Sequence, residues 1–129
     1  MVLDRIKFSE QGLIPVAVQD AHTLEVLTLA FMNREALEKT LDTRKIHVYR
    51  RSKGQVMMKG VTSGMTQDVR EVLVNCDDNS VVFKVTPHGP GCHEGYHSCY
   101  FRTLDPDSGE WVVNAERGFD PKEVYGASK

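Results

Sequence analysis

The chain has no long apolar run, so no transmembrane helix is expected. Its first residues, MVLDRIKFSEQG, lack the apolar core of a signal peptide. It also lacks a basic excess. Lys and Arg number 16 against 18 Asp and Glu, for a net charge of −2, whereas a general nucleic-acid binder carries the opposite balance. No membrane and no nucleic-acid partner is therefore expected, and a cytoplasmic, reducing setting follows as the default. Cysteine is scarce, with three in 129 residues and no CxxC pair, which argues against a zinc finger of the usual spacing. In a reducing setting those three are thiols or metal ligands before they are bridges. There is no internal repeat, linker or low-complexity segment. The length is that of one domain, residues 1–129, with a core at about 14–104 and a polar tail at 115–129.

Hydrophobic alternation and turn residues divide the chain into hairpins. Leu13–Gln19 and Leu24–Phe31 read as strands joined at Asp20–Thr23. Ile46–Arg50 and Gln55–Lys59 follow, joined at Ser52–Gly54; then Val69–Cys76 and Val81–Thr86, joined at Asp77–Ser80. Ser98–Leu104 and Glu110–Asn114 flank the turn DPDSG. One helix is expected over Arg34–Thr43, with Asn33 as its N-cap, Glu35 in the first turn, and Ala36, Leu37 and Leu41 on the inner face. Residues 1–12 read as an arm or an irregular turn. Many short strands and one helix predict an α+β, mostly β fold, with a folded mixed or antiparallel sheet or a pseudo-barrel.

The chemistry gathers in a few stretches. HGPGCHEGYHSC, His88 to Cys99, holds two of the three cysteines and three of the five histidines. Its glycines let the backbone fold tightly around something small. Thiolates and imidazoles together suit zinc, and three sulfur ligands with a vacant position are a catalytic arrangement. Buried core cysteines, or a disulfide between Cys92 and Cys99, fit the same residues. Arg50–Lys53 (RRSK) and Lys59–Gly64 (KGVTSG) supply cations, hydroxyls and glycine amides of the kind that hold phosphate. A charged hairpin bend beside a loop reads the same. Asn75–Ser80 (NCDDNS) surrounds Cys76 with oxygen ligands suited to a hard cation, or forms an Asx-rich turn.

The order VAVQD, LTLAFMNREAL, RRSK, KGVTSG, NCDDN and HGPGCHEGYHSC resembles the phosphoribosyl-AMP cyclohydrolase family of histidine biosynthesis, from about Ile14 to Arg102. The resemblance implies a β-rich, intertwined homodimer with active sites at the subunit interface. It implies a zinc ion held by Cys76 of one subunit with Cys92 and Cys99 of the other, and a histidine near the metal at His93. A general base helps a thiolate-bound zinc, and His93 is nominated for it, with His97 and His88 as alternates. It implies hydrolytic opening of the purine ring of 1-(5-phosphoribosyl)-AMP between N1 and C6. Arg51, Ser52, Lys53, Lys59, Thr62 and Ser63 are the candidates for the substrate's phosphates, and the two basic clusters suit its two phosphate ends.

Departures from the family pattern accompany the match. The family's magnesium motif carries three aspartates; here the positions read Asn75, Asp77 and Asn79. An amide oxygen is a weaker ligand for a hard cation, so magnesium binding is the expectation this sequence supports least. Met57, Val61 and Arg50 stand where the family usually has tryptophan, glutamate and serine. A paralogue acting on another purine-like heterocycle, or a non-catalytic zinc-binding relative, are the alternative readings.

Overall fold

A computed structural model describes residues 2–125. A short 3-10 helix, Val2–Arg5, tucks the buried Leu3 under the core, so the N-terminal stretch is more than an arm. Two strands follow, β1 (Ile14–Asp20) and β2 (Val26–Met32), then helix α1 (Arg34–Thr43). Next come β3 (His47–Arg50), β4 (Gln55–Met58), β5 (Gln67–Val74) and β6 (Val81–Pro87). A hairpin of β7 (Arg102–Leu104) and β8 (Trp111–Val113) precedes α2 (Pro121–Tyr125). Among the described residues no helix is long and apolar enough to cross a membrane.

The main sheet has four strands in the order β2-β1-β6-β5, with β1 and β6 parallel and the other pairs antiparallel. Of the two forms expected it is the mixed sheet, open, and it does not close into a pseudo-barrel. β3–β4 and β7–β8 are separate two-stranded ribbons, and β2 and β5 remain edges. Alternation along β1 and β6 sends Ile14, Val16, Val18, Val81, Phe83 and Val85 into the core. α1 covers that layer with Ala36, Leu37 and Thr40. Leu41, four positions on from Leu37, packs half-buried against the core as expected, and Thr40, four on from Ala36, joins the inner face beside it. The Thr40 hydroxyl donates to the Ala36 carbonyl at 2.8 Å and accepts from the His47 amide at 2.9 Å, tying the helix to β3. Asn33 caps the helix, its Oδ1 accepting from the Ala36 amide at 2.8 Å.

The strand expected at Ser98–Leu104 shrinks to three residues, because Ser98 and Cys99 bond to the β1–β2 hairpin instead. The polar tail is partly helical, at α2; residues 126–129 lie outside the described residues.

One cluster holds the start of β5 in place. Asp68 accepts from Lys45 Nζ and pairs with His88 Nε2 at 2.6 Å. The Lys45 ammonium, with His88 beside it, pulls the Asp68 carboxyl from 3.8 down to about 2. Because the folded value lies below the unfolded one, the stabilisation is complete above pH ~4 and is lost as the pH falls toward ~2. The carboxylate is partly hydrated, so about 1 kcal/mol is at stake. Unfolding free energies measured from pH 5 to 2 should fall less steeply for Asp68→Asn than for the parent; identical slopes would remove this role.

Candidate functional site

A cavity of about 630 Å³, a size suited to a small-molecule ligand, opens between β2 and the β3–β4 hairpin. The two-residue period of a strand explains its walls. On β2, Thr28 and Ala30 face it; leading into and along β3, Ile46, Val48 and Arg50 do. Met57, Met58 and Lys59 continue the wall, and Gly60, Val61, Thr62 and Ser63 form its rim. Gln67 at the start of β5, His93 and Cys99 complete the lining.

Among the described residues, three cations line this space, Arg50, Lys53 and Lys59, with the hydroxyls of Thr28, Thr62 and Ser63 and no carboxylate. The potential therefore favours an anion, and the methionine and valine side chains offer apolar surface to a flat ring. Four of the six expected phosphate-site residues, Lys53, Lys59, Thr62 and Ser63, are brought together here. Arg51 and Ser52 are not. Val48 and Arg50 share one face of β3, and Arg51, next along, takes the other side, its guanidinium 4.2 Å above the Phe31 ring. Arg50 takes its place in the wall, which strand phase could have shown in advance.

The three candidate histidines separate. His88 bonds to Asp68, outside the cavity. His97 Nε2 lies 2.9 Å from Oδ2 of the buried Asp20. Burial opposes the ionisation of Asp20, but the His22 and Thr23 amides and His97 outweigh it, so the carboxyl stays below its ordinary value. Only His93 lines the cavity, with its Nε2 3.5 Å from Glu94 Oε1.

The loop carrying the cysteines is pinned residue by residue. His97 holds Asp20, the Ser98 hydroxyl donates to the Val26 carbonyl at 2.6 Å, and the Cys99 amide donates to the Leu27 carbonyl at 2.7 Å. Upstream, the Cys92 amide donates to the Tyr96 carbonyl at 3.0 Å, which turns the chain back on itself. Gly95 has φ +93 in that turn, and its carbonyl accepts from the Gly118 amide of the C-terminal segment at 2.7 Å.

Cys92 and Cys99 come to rest side by side as free thiols, not as a disulfide. Burial pushes the Cys92 thiol up, and the Cys99 sulfur adds to this against the Glu94 amide, which donates to Cys92 Sγ at 3.4 Å. Two adjacent sulfurs become thiolates together only when a cation neutralises them, so the pair fits a soft metal such as zinc.

Cys76 does not join them within one chain. β5 begins beside this loop, where Gln67 Nε2 packs against Gly91, and runs eight residues before Cys76 follows its end. At strand rise that separates the two places by on the order of 25 Å. Among the described residues no group of three or more His, Cys, Asp and Glu is arranged to hold a metal.

The magnesium candidates do not fit a hard cation here. β5 ends at Val74, so residues 75, 77 and 79 do not continue an extended strand with their side chains aligned. Asn75 Oδ1 accepts from the amides of Asn79 and Ser80, both at 2.9 Å, and Asn75 Nδ2 donates to Asn79 Oδ1 at 2.6 Å. Both amide oxygens are spent on closing the turn, and Asp77 is left exposed beside them.

Comparison with known proteins bears on this arrangement. The phosphoribosyl-AMP cyclohydrolase family profile matches residues 28–101. A phosphoribosyl-AMP cyclohydrolase of Pelotomaculum thermopropionicum is 50% identical, over 96% of this chain and 95% of its own length. One from Chlorobium phaeovibrioides is 43% identical, over 96% of this chain and 90% of its own. The histidine biosynthesis bifunctional protein HisIE of Thermus thermophilus is 54% identical, over 81% of this chain and 49% of its own length. The matched stretch runs from Thr28 to beyond Cys99 and so contains every residue of the cavity wall. With near-full-length relatives at this identity, the chain belongs to the phosphoribosyl-AMP cyclohydrolase family.

Proposed function

We propose that this protein hydrolyses the N1–C6 bond of 1-(5-phosphoribosyl)-AMP in histidine biosynthesis, in a homodimer whose zinc sites are shared between subunits. The cation-lined cavity that also holds His93 and Cys99, with no carboxylate among the described residues that line it, is the observation that carries this reading. Arg50, Lys53 and Lys59, with the Thr62 and Ser63 hydroxyls, hold the phosphates. Val48, Met57, Met58 and Val61 flank the base. Water adds its oxygen to C6, and His93 takes the proton. As the N1–C6 bond breaks, His93 returns a proton to N1, and C6 keeps the oxygen and its amino group as a carboxamide. One water is consumed and nothing is oxidised.

Cys92 and Cys99 would hold zinc together with the partner's Cys76. When bound, zinc supplies Lewis acidity that makes water in the site more acidic. Two features support a second copy of the chain as the source of the third thiol. The first is the length of β5 between Cys76 and the cysteine pair. The second is the apolar surface left open along that edge strand, at Val72, Leu73 and Val74, and on the β7–β8 hairpin, at Leu104, Trp111, Val112 and Val113. A hairpin of three-residue strands is not stable alone and gains from such cover.

The test is turnover of 1-(5-phosphoribosyl)-AMP by zinc-loaded protein, followed by ultraviolet absorbance with and without magnesium. Turnover that does not require magnesium is expected. No turnover by folded, dimeric, zinc-replete protein would overturn the reading and direct screening to other N-substituted purines.

A further inference from the structure

Gln67 is fully buried, at 1% exposure, and neither its Nε2 nor its Oε1 has a hydrogen-bond partner. These are the only such buried side-chain atoms among the described residues. An unpaired buried amide is costly, and native structures contain few without a reason. Gln67 belongs to the cavity wall, with Cys99, His93 and Ser63. Above it, Gly91 leaves space that no other residue would: a Cβ there would lie 2.9 Å from Nε2.

An orphaned carboxamide identifies its complement. A phosphate accepts only, and would leave Oε1 unsatisfied. What satisfies both atoms is a donor beside an acceptor on one flat edge. In an adenine whose N1 carries a ribosyl group the Watson–Crick edge is blocked, and the edge still free presents an N6 hydrogen next to the N7 lone pair. A glutamine amide pairs with these two atoms in bidentate fashion.

Resting on the function proposed above, we infer that Gln67 is the specificity residue that reads the N6–N7 edge of the purine, its amide turning through its side-chain torsions from beneath Gly91 into the cavity. Held by that edge, the ring presents C6 toward the His93 side.

The experiment compares parent protein and Gln67→Met on 1-(5-phosphoribosyl)-AMP and on its 7-deaza analogue, in which a C–H replaces N7. The parent should lose about ten- to a hundredfold in kcat/KM on the analogue. Gln67→Met should lose at least as much on the natural substrate and show no further loss on the analogue. Its melting temperature should hold or rise, since an apolar side chain of similar shape relieves a buried unpaired group. Undiminished activity of Gln67→Met would overturn the inference. So would a 7-deaza penalty as large in the variant as in the parent, which is the pattern of a purely structural residue. If Gln67→Met does not fold, the parent decides alone: equal turnover of both substrates overturns the inference. Failure of the parent on the natural substrate is a separate result and removes the underlying reading.

Discussion

On the proposed shared zinc site, mixing Cys76→Ser chains with Cys92→Ser chains, each expected to be inactive and zinc-poor alone, should restore roughly a quarter of the parent's zinc content and activity, by the symmetry of the proposed two-fold dimer. The expectation follows from β5. Cys92 and Cys99 meet at one end of that strand, and Cys76 follows its other end. In a mixed dimer, the Cys76→Ser chain supplies an intact Cys92 and Cys99, and the Cys92→Ser chain supplies an intact Cys76. One site is then whole, and the other lacks two ligands. Random reassociation makes half of the dimers mixed, each with one working site of two. The measurement is zinc per chain and turnover after unfolding and refolding the two variants together. No recovery would mean that the three thiols do not come from two chains in this way. Full zinc retention in Cys76→Ser alone would remove Cys76 from the site.

The second large effect concerns Gly60. It sits at φ +87 between Lys59 and the hydroxyl rim, and a Cβ there would lie 2.5–2.6 Å from backbone atoms of Met65 and Thr66. Backbone cannot step aside as a flexible side chain can, so Gly60→Ala must move the loop that carries Thr62 and Ser63. Activity should fall on the order of a hundredfold, the scale of a misplacement near 1 Å at a site. Stability should fall by about 2 kcal/mol, of which the left-handed backbone alone accounts for roughly 1–2 kcal/mol. Gly12→Ala separates the two causes. Gly12 has φ +76, a Cβ added there would meet no atom within 4 Å, and the residue lies outside the cavity. It should lose stability only. Unfolding curves and kcat/KM on both variants settle the point, and unchanged activity in Gly60→Ala would show that the loop does not position the proposed phosphate ligands.

Much of this could be read before the structure. Alternation marked the strands because β1 and β6 bury every second residue, and Asn33 marked the helix because its side chain has a free amide to cap. The cysteine-rich loop stood out by composition. What escaped reading had physical causes. Gln67 falls outside the strand read from Val69 because a polar residue at a buried strand position breaks the apolar pattern that reveals strands; the two-residue step from Val69 is the signal that would find it. Adjacent arginines are distinguishable only by strand phase, and that phase puts Arg50, not the expected Arg51, in the cavity wall. The Asn75–Ser80 stretch could have been a ligand set or a turn, and hydrogen bonds that close the hairpin decided for the turn. The sheet stays open because no hydrogen-bonded register joins β2 to β5, a fact no local pattern encodes.

The bonds from His97, Ser98 and Cys99 to the first hairpin span more than 70 residues of chain. Contacts of such separation are entropically expensive to close and form late, after the local hairpins they join. Cys99 is therefore not in place until the N-terminal third of the chain has docked, however early Cys92 folds its own tight turn. During refolding, the proposed metal capture by this pair would be a clock for the last long-range closure rather than a nucleus for the first. Protein refolded with zinc already present should show sheet formation leading and metal uptake following.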